Sequence, residues 1–99
     1  MNKDFISFVW DKKKANANYK KHKVTFEEAK TAFIDPNGRM IYDLGHFKDE
    51  ERFILLGVSS ALRILTVCHC YREKDQVIRI ISARKATKTE QKQYRSFLP

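Results

Sequence analysis

The sequence predicts an α+β fold in which two amino-terminal helices and one carboxy-terminal helix pack on a curved antiparallel sheet, in the order β-α-α-β-β-β-β-α. Three observations predict it. Helix-capping signals stand at Thr25–Glu28 and Thr87–Glu90, four strand-like runs follow the first of them, and the short links between those runs demand antiparallel neighbours. With 99 residues, 42% of them hydrophobic, and only three Gly and two Pro, the chain suits a single domain over 1–99 with a modest core.

Phe5 to Trp10 is aromatic and β-branched and predicts a short opening strand. Asp11 then caps a helix from Lys12 to about Lys23, whose face of Ala15, Tyr19 and His22 is narrow and only partly apolar. Thr25-Phe26-Glu27-Glu28 predicts a capping box, with Val24 and Ala29 as its staple and Phe26, Ala29 and Phe33 as the buried stripe of a second helix. Asp35-Pro36-Asn37-Gly38 supplies the turn that ends it. The strands expected next are Arg39–Asp43, Arg52–Ser59, Arg63–Tyr71 and Val77–Ala83, the last two joined by a hairpin loop over 72–76. A second capping box, Thr87-Lys88-Thr89-Glu90, opens a basic helix from Lys88 to about Phe97. All helices are expected on one face of the sheet.

Charge is distributed unevenly. The formal net charge is +8, of which residues 1–50 contribute +2 and residues 51–99 contribute +6. Lys and Arg gain free energy by releasing counterions from a polyanion or by pairing with carboxylates, so the second half suits a nucleic acid or an acidic protein; a solvated basic face is the plain alternative. The apolar runs are too short for a membrane helix, and Met1–Trp10 lacks a signal-peptide cleavage pattern, so a reducing cytoplasm is expected. Cys68 and Cys70 are too close along one strand for a disulfide. Alternation sends His69 to the face opposite both sulfurs, so neither a metal nor another cofactor is expected.

Four segments carry a family resemblance. Phe8-Val9-Trp10-Asp11, Asn18 through Ala29 with its Lys-His-x-Val-x-Phe-Glu-Glu-Ala block, Glu50-Glu51-Arg52-Phe53, and Ile78 through Thr87 with Arg-Ile-Ile-Ser-Ala-Arg-x-Ala together resemble the BrnT toxins. The resemblance implies a RelE-like fold and a ribonuclease that blocks translation. It also implies neutralisation by a BrnA-type ribbon-helix-helix antitoxin, through which alone operator DNA is met.

Cleavage of RNA by its own 2′-hydroxyl requires a base, an acid for the leaving oxygen and cations over the phosphorane. Arg79 and Arg84 lie in the family-typical block and suit the clamp, because a planar guanidinium can hold two phosphate oxygens. Strict alternation would put them on opposite faces, so they can share a site only if the strand ends or bulges near Ala83. Otherwise one is an edge charge or pairs with an acid such as Glu73. His69, with Tyr71, Arg72 and Glu73 beside it, is a candidate acid or base, or simply a satisfied core histidine. His46 is a further loop histidine, and Glu51 reads as structural. Lys21, His22, Arg63, Lys85, Lys88 and Lys92 are candidate RNA contacts. The stripe Lys88, Lys92, Arg95 either tracks an RNA backbone or accepts antitoxin acids, and Tyr94 and Phe97 either pack inward or meet a base.

Overall fold

In a computed structural model of the chain, residues 6–42, 51–74 and 76–99 are described. Phe5, Asp43, His46, Glu50 and Asp75, which enter the sequence reading, lie outside them. The elements are β1 (Ser7–Val9), α1 (Lys12–His22), α2 (Phe26–Thr31) running into a 3₁₀ turn (Ala32–Ile34), β2 (Arg39–Tyr42), β3 (Phe53–Val58), β4 (Ile64–Arg72), β5 (Val77–Lys85) and α3 (Lys88–Ser96). No helix among the described residues is long and apolar enough to cross a membrane.

The five strands form one sheet in the order β1-β5-β4-β3-β2. From β2 to β5 the pairings are antiparallel, as short links require. The sheet as a whole is mixed, because β1 pairs parallel with β5. Short links place no constraint on that pair, since almost the entire domain separates the two strands in sequence.

Helices cover both faces, contrary to the one-sided packing expected. In β3, Leu55 joins Val24, Phe26, Ala29, Leu65, Val67, Ile78, Ile80 and Ala83 beneath α1 and α2, whereas its neighbour Leu56 joins Ala86 and Tyr94 of the α3 side. Strand neighbours point to opposite faces, so these are two separate cores. The unbroken apolar run Phe53-Ile54-Leu55-Leu56-Gly57-Val58 is the signature of a strand buried on both sides. Gly57 is needed for the first packing: a Cβ there would lie 2.9 Å from the carbonyl oxygen of Ala32.

Polar seams hold the layers in register. Asn18, buried on α1, donates through Nδ2 to the carbonyls of Val24 (3.0 Å) and Ala83 (2.8 Å), while its Oδ1 accepts from the Ala83 amide (3.0 Å). It thereby satisfies both backbone groups of Ala83 on the side of β5 that β1 is too short to reach. On the other side, Asp35 Oδ2 accepts from the Val58 amide (2.9 Å) and from the Tyr94 hydroxyl (2.5 Å), tying α3 to the turn before β2.

The two helix caps expected from sequence differ. Thr87 and Glu90 form the complete reciprocal box. Thr25 accepts from the Glu28 amide (3.0 Å), but the Glu28 carboxylate turns away to Arg63 and Ser59, so the predicted second half of that box is replaced by an ion pair.

Candidate nucleic-acid interface

The arrangement of the arginines follows from one irregularity. β4 and β5 pair Thr66 with Arg84, Val67 with Ala83 and Cys68 with Ser82, but the next pair is His69 with Ile80. Ile81 is therefore an extra residue, a β-bulge in β5. β4 is unbroken, so Thr66, Cys68, Cys70 and Arg72 share the α3 face, and so do their partners Arg84, Ser82, Arg79 and Val77. The bulge thus turns two arginines five residues apart to the same side, which strict alternation forbids. It sits two residues before the expected place at Ala83. Four strand positions separate Arg79 and Arg84, roughly 13 Å along the sheet. Arg72 stands diagonally across from Arg79.

The arginines on this face differ in their surroundings. Arg84 forms a bidentate pair with Glu90 of α3, Nη1 to Oε1 at 2.8 Å and Nη2 to Oε2 at 3.1 Å. Glu90 also accepts from the Thr66 hydroxyl and the Thr87 amide. The Arg84 guanidinium, helped by those donors, pulls the Glu90 carboxyl down to about 2. The pairing anticipated for one arginine is real, with Glu90 in the place of Glu73. Arg79 is half-buried, and among the described residues it forms no salt bridge with a carboxylate. At the far end of the face, Arg39 lies 4.2 Å above the Phe97 ring, so Phe97 meets a cation and Tyr94 packs inward.

His69 lies on the other face, fully buried. Its ring contacts Phe33 (4.8 Å) and Tyr71 (5.4 Å) edge-on and Phe53 at 6.2 Å, with Nδ1 3.2 Å from the Val67 carbonyl and Nε2 3.3 Å from the Met40 sulfur. Burial lowers its pKa to about 4, so the ring is neutral at physiological pH. The sheet therefore separates His69 from Arg79 and Arg84. As alternation predicts, both cysteine sulfurs share the face opposite the imidazole. Among the described residues no three His, Cys, Asp or Glu are grouped to hold a metal.

The other candidates divide between the two sides. Arg63 is bound to Glu28 and to the carbonyl of Lys23 (3.1 Å), joining α2 to the start of β4; that guanidinium, through its hydrogen bond, also lowers the Glu28 pKa. Lys21 and His22 lie in the last turn of α1, where cations favour the helix dipole. Lys85 pairs with Leu65 and faces the α1 side, away from Arg84. Lys88 and Lys92 are exposed on α3. Glu73 and Lys74 form the left-handed turn after β4, at φ 49° and 58°. The sequence marks Glu28 and Glu90 only as capping residues and Asn18 only as part of a family segment, with no role; an asparagine inside a helix, where its propensity is poor, was the available signal.

No curated protein matches the chain. Among solved structures, the crystal structure of the Brucella abortus ribonuclease toxin, BrnT, has the same fold, with a TM-score of 0.64 and 20% identity over 84% of this chain and 99% of that one. Residues 10–90 match the family described as the ribonuclease toxin, BrnT, of type II toxin-antitoxin systems. Spanning most of the sequence, β4 and β5 with their arginines included, that match establishes that the chain belongs to the BrnT family of ribonuclease toxins.

Proposed function

We propose that this chain is an endoribonuclease whose α3-side sheet face binds the scissile phosphate, with Arg79 as the clamp on the developing phosphorane. The observation that carries the reading is the bulge at Ile81, which brings Arg79, Arg84 and Arg72 to one surface. An arginine that is half-buried and, among the described residues, in no salt bridge with a carboxylate is poised for an anionic substrate. Arg84 is held by Glu90 as a neutral pair that fixes the edge of the face, and Lys88 and Lys92 on α3 supply positive field along the strand of RNA. Glu73 flanks the face at the β4–β5 turn. The RNA 2′-hydroxyl attacks the phosphorus as the P–O5′ bond breaks, its proton passing to the Glu73 carboxylate or to solvent and the leaving 5′-oxygen taking a proton from solvent, while the cations stabilise the phosphorane charge, so that no added metal is called for.

In this reading the toxin blocks translation by cutting RNA in the cytoplasm. A BrnA-type ribbon-helix-helix antitoxin neutralises it by offering carboxylates to the same cations, and the toxin reaches operator DNA only through that partner. The test is cleavage of RNA by the purified chain, freed of any partner, in the presence of chelator. Wild type is expected to cut, and Arg79→Ala to lose about 10²–10³ in rate with its melting temperature preserved. Intact RNA in both, together with tight salt-sensitive binding, would identify a non-catalytic basic module or an inactive relative instead.

A further inference from the structure

A second surface, on the opposite side of the molecule from α3, also has the chemistry of a nucleic-acid contact. α1 presents Lys12, Ala15, Tyr19 and Lys20, spaced as one helical stripe, to a groove of about 580 Å³ closed on its other side by Trp10 and Phe26. Stripes of this spacing usually disappear into a core, yet Tyr19 remains 47% exposed. Trp10 is held edge-on against Phe26, with ring centroids 5.9 Å apart, and Lys23 Nζ lies 5.5 Å from the Tyr19 ring. The groove is thus lined by aromatic rings, Trp10 among them held in place by Phe26, and flanked by ammonium groups. Asn16 and Glu27 on its rim can hydrogen-bond a base edge. Lys12 to Lys23 contains six lysines and no acid, which suits a polyanion.

We infer that this groove is a base-stacking subsite for single-stranded RNA, with a nucleobase against Tyr19 and Trp10 and the adjoining phosphates on Lys12 and Lys20. The identity of the strand as RNA rests on the nuclease reading. Its position supports continuity with the arginine face: Val9 pairs with Arg79 across the β1–β5 seam, and Trp10 is the next residue. One Cα step plus one strand spacing puts the Trp10 and Arg79 backbones within about 9 Å. A strand held at Arg79 rounds the β1 edge of the sheet and enters the groove. An aromatic platform takes any base, so this subsite adds affinity and register rather than sequence choice.

Trp10 is the sole tryptophan of the chain, so its fluorescence reports on the groove directly. The experiment titrates the full-length protein with a short 2′-O-methyl oligoribonucleotide, which binds as RNA does but has no free 2′-hydroxyl to attack. Saturable quenching is expected, weakening with salt; Tyr19→Ala should loosen binding about tenfold, and Tyr19→Phe should keep it. Lys20→Ala should flatten the salt dependence while leaving the quenching amplitude unchanged. Absence of quenching, equal affinity in Tyr19→Ala, or equal quenching by polyglutamate would overturn the inference, the last by showing that the groove reads charge alone. Wild-type binding by Tyr19→Ala alongside lost cleavage in Arg79→Ala would sink this subsite and leave the nuclease reading standing. Normal quenching by a chain that cuts nothing would do the reverse.

Discussion

The two faces of the sheet are built from the same two strands and have opposite chemistry. Under α1 and α2, alternate residues of β4 and β5 form a closed core of Leu65, Val67, Ile78, Ile80 and Ala83, extended by the neutral imidazole of His69. On the α3 side the intervening residues bring Arg72, Arg79 and Arg84 together with Thr66 and the two cysteines. Adjacency in sequence is thus a poor guide to a shared site in a strand. His69, Tyr71 and Arg72 read as one grouping, but the pleat sends Arg72 to the opposite face. Arg79 and Arg84, which the pleat should separate, are united by a single inserted residue.

The comparison can be broken at the seam that fixes the bulged strand. Asn18→Ala leaves the amide and carbonyl of Ala83 without their partners in a buried place, and should cost about 3 kcal/mol, measured by chemical denaturation. A cost below about 1 kcal/mol would mean that water or β1 satisfies those groups instead.

Acid should attack the first face before the second. The folded His69 ring takes a proton only near pH 4, whereas an unfolded histidine does so near 6.5. The unfolded chain therefore binds more protons between those values, and stability that is complete above pH 6.5 falls as pH drops toward 4, by an amount on the order of 2–3 kcal/mol. Glu90 behaves in the same direction at lower pH: its depressed carboxyl keeps its contribution above about 4.5 and loses it as pH falls toward 2. Denaturation profiles across pH 3–7 of wild type and Glu90→Gln separate the two steps. The upper step should persist in Glu90→Gln and the lower one should shrink, the remainder belonging to the lowered carboxyls of Glu28 and Asp35.

Smaller effects distinguish the two caps. Thr87→Ala removes one half of a reciprocal box and should cost about 1 kcal/mol. Thr25→Ala removes a single acceptor at α2, whose carboxylate is already committed to Arg63, and should cost no more. If Thr25→Ala proves the costlier, Glu28 depends on the cap for its orientation toward Arg63.

Much of this organisation was legible in the sequence because local signals fixed it. The caps at Asp11, Thr25 and Thr87, the Asp35–Gly38 turn and the apolar runs defined each element to within a few residues. What escaped was non-local. Nothing near Ser7–Val9 specifies a parallel partner some seventy residues later. The bulge was legible only as a condition, because Ile80-Ile81 places apolar residues on both faces and hides which of them is extra. Arg84 was legible as a phosphate-type side chain but its tie to Glu90 was not, since that contact depends on where α3 crosses the sheet. His69 stands beside polar and charged neighbours in sequence, but the pleat turns it into an aromatic core.

The most direct test is the single-turnover RNA cleavage rate of His69→Phe, measured with wild type and Arg79→Ala under the same conditions and with each fold verified by circular dichroism. Phenylalanine fills the space among Phe33, Phe53 and Tyr71 but cannot move a proton. A His69→Phe rate within about threefold of wild type, alongside the collapse in Arg79→Ala, is what a chemistry confined to the α3 face predicts. A folded His69→Phe protein as inactive as Arg79→Ala would contradict it.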